Sequence, residues 1–285
     1  MAVGRILQAL VVVVTAIAAF GGVFGWSVRD AVDIACQYHG STVRRVGLSA
    51  SSSVGWAVFA ALVAGVAVLA LRGSNRWWPG SGQWVWTRHR AGWAVALGAT
   101  GLSMLCLALG NSVLSSVLDR WALLNHVDAV GISTVGQVAG ALQAGIGEEL
   151  IVLAIPAAVL RFYRAPTVLA LCVLVALRVS YHLYYGWIGV VWLVPWAVVT
   201  AAVYWRWPDW RLLVLLVVDH AVFDLRSLLF GRDAGMIWLL AGVSVLAVAG
   251  AIRPRWWAAA ASSAGVSVRI WRRRGAAMDT NPISN

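Results

Sequence analysis

The chain has 285 residues, of which 61% are hydrophobic and only 12% charged, and its mean hydropathy is +0.81. Soluble domains carry roughly 25% charge, and no globule of this length could hide so much apolar surface, so lipid must be the solvent. A net charge of +11 would suit a nucleic-acid binder, but the arginines, which make up all 22 basic residues, sit mainly between apolar runs, where membrane orientation places them; a nucleic-acid partner is excluded.

In chain order, apolar stretches near the ~20 residues needed to cross hydrocarbon fall at roughly 6–26, 54–71, 92–110, 135–160, 166–185, 187–204, 211–230 and 235–252. They predict an all-α fold, a polytopic transmembrane bundle of about eight membrane-spanning helices. The first stretch follows a single Arg5 and contains the small residues Ala18 and Ala19, which raises a cleaved signal peptide. Its apolar run is longer than a signal core, so a retained helix is expected. The Gly/Ser stretch 47–55 and the arginine- and tryptophan-rich stretch 72–91 read as loops, with Trp77, Trp78, Trp84 and Trp86 suited to an interfacial belt. Tyr185-Gly186-Trp187 reads as a tight turn. From 253 the chain turns basic and then polar, the composition of a disordered tail. The organisation expected is an N-terminal set of helices and loops (1–134), a core (135–230), a last helix (231–252) and a cytoplasmic tail (253–285).

With the N-terminus in the cytoplasm, alternation through these spans places 15 arginines on the cytoplasmic side against five outside, with Arg178 and Arg226 inside spans. Both termini are therefore expected in the cytoplasm of a multi-pass protein of the cell membrane. No internal repeat is evident. Cys36, Cys106 and Cys172 form no CxxC pair and read as small packing residues.

Charge inside a span is expensive and usually functional. The chain's two glutamates are adjacent, Glu148 and Glu149, in the fourth stretch. His182 lies in the fifth, one turn after Arg178, and Asp219, His220, Asp224 and Arg226 lie in the seventh. Glu148 precedes Arg161 by 13 residues, His182 follows Pro166 by 16, and His220 and Asp224 follow Arg211 by 9 and 13. At ~1.5 Å per residue these groups lie about 14 to 24 Å from the cytoplasmic boundary, one depth band shared by three helices. His220 and Asp224 are spaced i, i+4 and share a face. A glutamate in a low-dielectric site can take a proton from water, a histidine can share that work, and a second histidine can donate to a developing oxyanion. The set Glu148, His182 and His220 could instead hold a divalent ion such as zinc that activates the water. Asp219 is expected to pair with an arginine outside the site, and Arg226 to snorkel. His39, His89 and His126 read as solvated loop residues; Asn111 and Asn125 carry no functional signal.

Glu148-Glu149, His182 and His220-xxx-Asp224, in that order, resemble the motifs of the CPBP intramembrane proteases, the family of type II CAAX prenyl endopeptidases and bacteriocin-immunity proteins. The resemblance covers about 135–230 and rests on the family's Glu-Glu-xxx-Arg, Phe-xxx-His and His-xxx-Asn/Asp patterns. It implies that Glu148 is the catalytic carboxylate with Glu149 supporting it, that His182 positions or activates water, and that His220 and Asp224 stabilise the oxyanion or bind metal. It further implies hydrolysis of peptide bonds in membrane-associated, including prenylated, proteins or peptides. Two positions depart from the pattern: Leu153 stands where the family has arginine and Arg178 where it has phenylalanine. Arg178 is expected to supply the missing charge to Glu149 from the next helix, so that an arginine restored at Leu153 should rescue Arg178→Leu. A non-catalytic scaffold or immunity protein is the alternative reading, and an ion-coupled transporter a third.

Overall fold

Main-chain groups in hydrocarbon must pair within their own segment, which makes apolar stretches helical. The computed structural model describes residues 25–38, 42–46, 51–59, 62, 93–130, 133–231 and 234–252. In chain order these form α1 (Gly25–Gln37), β1 (Thr42–Val46), α2 (51–59), α3 (Trp93–Arg120), β2 (His126–Val130), α4 (Thr134–Arg161), α5 (Thr167–Ser180), α6 (Gly189–Arg206), α7 (Trp210–Asp224), α8 (Arg226–Phe230) and α9 (Ala234–Ile252).

The architecture is helical, and α3, α4 and α6, of 28, 28 and 18 residues, are long and apolar enough to cross a membrane. Helix α5 and residues Trp238–Gly250 of α9 are shorter apolar helices. Leu102, Leu142, Val168, Val198, Val218 and Leu240 stand exposed on the outer faces, a surface of the kind lipid covers. These features are consistent with a membrane protein.

Several sequence expectations need correction. The stretch 166–185 stops being α-helical at Ser180, and 211–230 is two helices interrupted at Leu225. Residues 51–55, read as loop, open α2; the serines at 51–53 are residues that favour a helix start. The all-α expectation has one exception among the described residues. Strands β1 and β2 pair in parallel, from Thr42 opposite His126 to Val46 opposite Val130, so His126 lies in a strand rather than a loop. Thr42, Val43, Val46, Val127 and Val130 are residue types that favour extended backbone. Cys36, Cys106 and Cys172 are free thiols. The expectations for 6–24, 72–91 and 253–285, for His39 and His89, and for most of 54–71 lie outside the described residues.

Helix α9 lies along α3, α7 packs on α3 and α4, and α6 on α3 and α5. One apolar cluster gathers Leu153, Ala157, Leu174, Tyr204, Leu212 and Leu216. A second gathers Leu107, Trp192, Trp196, Phe223 and Trp238. Along α7, Leu216 belongs to the first and Phe223 to the second, and His220 falls between them. A Cβ on Gly145 would stand 2.6 Å from the Val217 carbonyl oxygen, so α4 approaches α7 at a distance only glycine allows, three residues before Glu148. Small residues at such crossings let helix backbones close up where the hydrophobic effect cannot drive association.

Candidate active site

Two N-caps set where the site's helices begin. Ser133 accepts the Gly136 N–H at 3.1 Å ahead of α4, and Asp209 accepts the Arg211 N–H at 2.8 Å ahead of α7. Each cap satisfies an orphan donor and so fixes the register of the helix that follows. Within α4, Glu148–Ala154 form a π-helical segment directly before Ile155-Pro156. In a regular α-helix the Pro156 ring would clash with the Val152 carbonyl, and the wider π turn relieves that crowding. It also brings two consecutive glutamates into one polar site.

Glu149 is held completely. Arg178 Nη1 donates to Glu149 Oε1 and Nη2 to Oε2, both at 2.7 Å, with the two side chains 2% and 1% exposed. The Arg178 guanidinium also lies over the Trp196 ring, 4.4 Å from its centroid. The charge that pairs with Glu149 thus comes from the next helix, while Leu153 is buried with Leu174 in the apolar cluster. Fork-to-fork pairing of this kind fixes orientation as well as charge.

His220 bridges both glutamates. Its Nδ1 is 3.0 Å from Glu149 Oε1, and its Nε2 is 3.2 Å from Glu148 Oε2 and 3.8 Å from Asp224 Oδ2. Carboxylate oxygens accept, so the ring is placed to donate from either nitrogen. Asp224 is 36% exposed and Glu148 22%, whereas His220, His182, Glu149 and Arg178 are buried. Glu148 and Asp224 therefore form the open side of the site.

His182 lies two residues beyond the last residue of α5, not within the helix. Its backbone N–H turns to Val179 O at 3.1 Å, leaving the Arg178 carbonyl to the imidazole, whose Nδ1 is 2.9 Å away. A carbonyl can only accept, so Nδ1 carries a proton, and in the neutral ring Nε2 keeps its lone pair. That lone pair is 4.0 Å from Glu148 Oε2.

The structure thus brings together Glu148, Glu149, Arg178, His182, His220 and Asp224. Two further residues serve the site. Tyr181 donates its hydroxyl to Glu148 Oε2; a tyrosine cluster inside an apolar stretch was its only signal. Asn125, which carried no functional signal, is buried and bonds through Nδ2 to the Tyr184 and Tyr38 carbonyls, each at 3.2 Å, and through its N–H to Tyr185 O at 2.8 Å. It braces the turn after His182, which closes at Gly186 with φ of 99°, a conformation glycine adopts without strain. Asp219 pairs with no arginine among the described residues. Its Oδ2 accepts from Ser103 at 3.4 Å and its Oδ1 has no hydrogen-bond partner among the described residues. Arg226 does not simply snorkel: it donates to Phe223 O at 2.8 Å and to Asn111 Oδ1 at 3.1 Å.

Among the described residues no group of three or more His, Cys, Asp or Glu side chains is arranged to hold a metal ion. Within Glu148, His182 and His220, the Glu148 oxygen nearest the imidazoles accepts from Tyr181. The chain matches no family model, and it matches neither a curated protein nor a solved structure.

Proposed function

We propose that the chain is an intramembrane endopeptidase of the type its motifs resemble, the CPBP proteases, in which Glu148 activates a water against a peptide bond. The observation that carries this reading is the 4.0 Å separation between Glu148 Oε2 and the lone-pair nitrogen of His182. Two hydrogen bonds of ~2.8 Å from one water span about 4.4 Å. A single water between these acceptors gives one proton to each and turns a lone pair outward. Glu148 takes a proton as the water oxygen attacks the peptide carbonyl carbon. His220 Nε2 donates to the oxygen that becomes negative, with Asp224 beside it. Collapse breaks the C–N bond, and Glu148 returns its proton to the leaving amine. Glu149, neutralised by Arg178, holds the other edge of His220.

The apolar stretches of the sequence and the arginine asymmetry between them support a multi-pass topology of about eight spans, with both termini cytoplasmic. Substrates on this reading are membrane-associated proteins or peptides, prenylated ones included.

Cleavage of fluorogenic membrane peptides, with and without a prenyl group, by the purified protein tests the reading. Activity is expected to survive chelation and to vanish in Glu148→Gln. Full cleavage by Glu148→Gln overturns the mechanism; loss on chelation reassigns Glu148, His182 and His220 to a divalent ion. One observation favours a non-catalytic scaffold instead, namely that Tyr181 and His220 already engage Glu148. On that reading Glu148→Gln keeps its biological effect.

A further inference from the structure

One side chain touches both imidazoles of the site and the Arg178 guanidinium. The Trp196 ring on α6 meets the His220 ring edge to face at 5.3 Å and 90°, and the His182 ring at 6.3 Å and 85°. The Arg178 guanidinium covers its face at 4.4 Å. Trp196 is itself buried, at 2% exposure.

Its rotation is set from α3. The indole N–H donates to Ser103 Oγ at 3.0 Å. Ser103 Oγ lies 3.0 Å from Thr200 Oγ1 and donates to Asp219 Oδ2 at 3.4 Å. A hydroxyl has one proton and two lone pairs. Ser103 accepts from Trp196, and with its own proton on Asp219 it accepts from Thr200 as well, so that Asp219 ends the chain of donors. All four residues are buried, so no solvent competes with this order.

We propose that Trp196 is a positioning residue for both imidazoles and for the Arg178 guanidinium, and that Ser103, ended on Asp219, locks its ring. The proposal rests on the catalytic reading above, because the spacing it protects is the water slot between Glu148 and His182. The indole can turn about its broad χ2 torsion. Without the N–H anchor, both edge-to-face contacts shift and the slot changes width.

The test compares Trp196→Phe, Ser103→Ala and the double variant in peptide cleavage, normalised to folded protein. Each single change is expected to lower kcat about tenfold, a fraction of the ~100-fold that a 1 Å misplacement can cost, with KM within about twofold of wild type. The double variant is expected to be no slower than either single one, because both break the same link. Unchanged kcat in the single variants, or losses that multiply, overturns the proposal. The imidazole carbon resonances of His182 and His220 give a readout that does not need turnover. Both are expected to move alike in the two single variants, and resonances that stay in place overturn the proposal. A wild-type protein that cleaves nothing removes the catalytic reading while leaving this resonance test in force.

Discussion

Arg178 grips Glu149 through two parallel 2.7 Å hydrogen bonds, at a point where both side chains are all but inaccessible. The pair joins α5 to α4, and the same Glu149 carboxylate holds His220 on α7 through Nδ1 at 3.0 Å. Removing either partner strands a charge in a dry environment.

Arg178→Leu is therefore expected to lower stability by about 3–5 kcal/mol, the usual cost of orphaning one member of a buried pair. Unfolding in detergent measures it. Adding Leu153→Arg is expected to restore part of the loss. The recovery is partial because Leu153 is packed against Leu174, so a new guanidinium must reach past an apolar cluster. No recovery at all would mean that the charge cannot be supplied from α4.

Glu148→Gln keeps the shape of a side chain that is 22% exposed, so its thermal midpoint is expected to stay near wild type. Cleavage is expected to fall by about 10²–10⁴-fold, the range for loss of a general base. Parallel measurement of both quantities separates a chemical role from a structural one.

His182→Asn retains an amide donor for the Arg178 carbonyl but loses the ring acceptor that faces Glu148. A folded protein with kcat reduced by about 10²-fold is expected. His182→Ala additionally leaves that carbonyl bare and is expected to unfold at lower denaturant concentration than His182→Asn.

Gly145→Val places a branched side chain where even a Cβ would come within 2.6 Å of the Val217 carbonyl. Separation of α4 from α7 is expected to cost about 1–3 kcal/mol. Because Glu148 and His220 face each other across that contact, activity is expected to fall further than stability, as measured by kcat per folded molecule.

Asn125→Ala unties the Tyr184 carbonyl and the end of α1 at Tyr38. Faster amide exchange confined to the turn around 182–186 is expected, with a stability loss of about 1–3 kcal/mol for the carbonyl left unsatisfied. Uniform exchange across α5 would count against its role as a brace.

Hydropathy was enough to locate α3, α4 and α6, because a segment in lipid must satisfy its own backbone and that requirement is local. The same scarcity of charge singled out Glu148, Glu149, Arg178, His182, His220 and Asp224, since each is costly to place among apolar side chains. Helical rise put them at one depth, and a pairing of Arg178 with Glu149 was expected from the sequence. The end of α5 at Ser180 was not legible. It depends on a side chain, His182, capping the helix from outside and on Asn125, distant in sequence, bracing the turn. Nor could periodicity reveal the π-helical turn at Glu148, which arises from the conflict between Pro156 and a regular helix. The tautomer of His182, the double engagement of His220, and the network from Asp219 through Ser103 to Trp196 all hinge on atoms from different helices meeting within ~3–4 Å. Depth along a helix axis is written in residue number; the rotation and approach of neighbouring helices is set only when small residues such as Gly145 let them close.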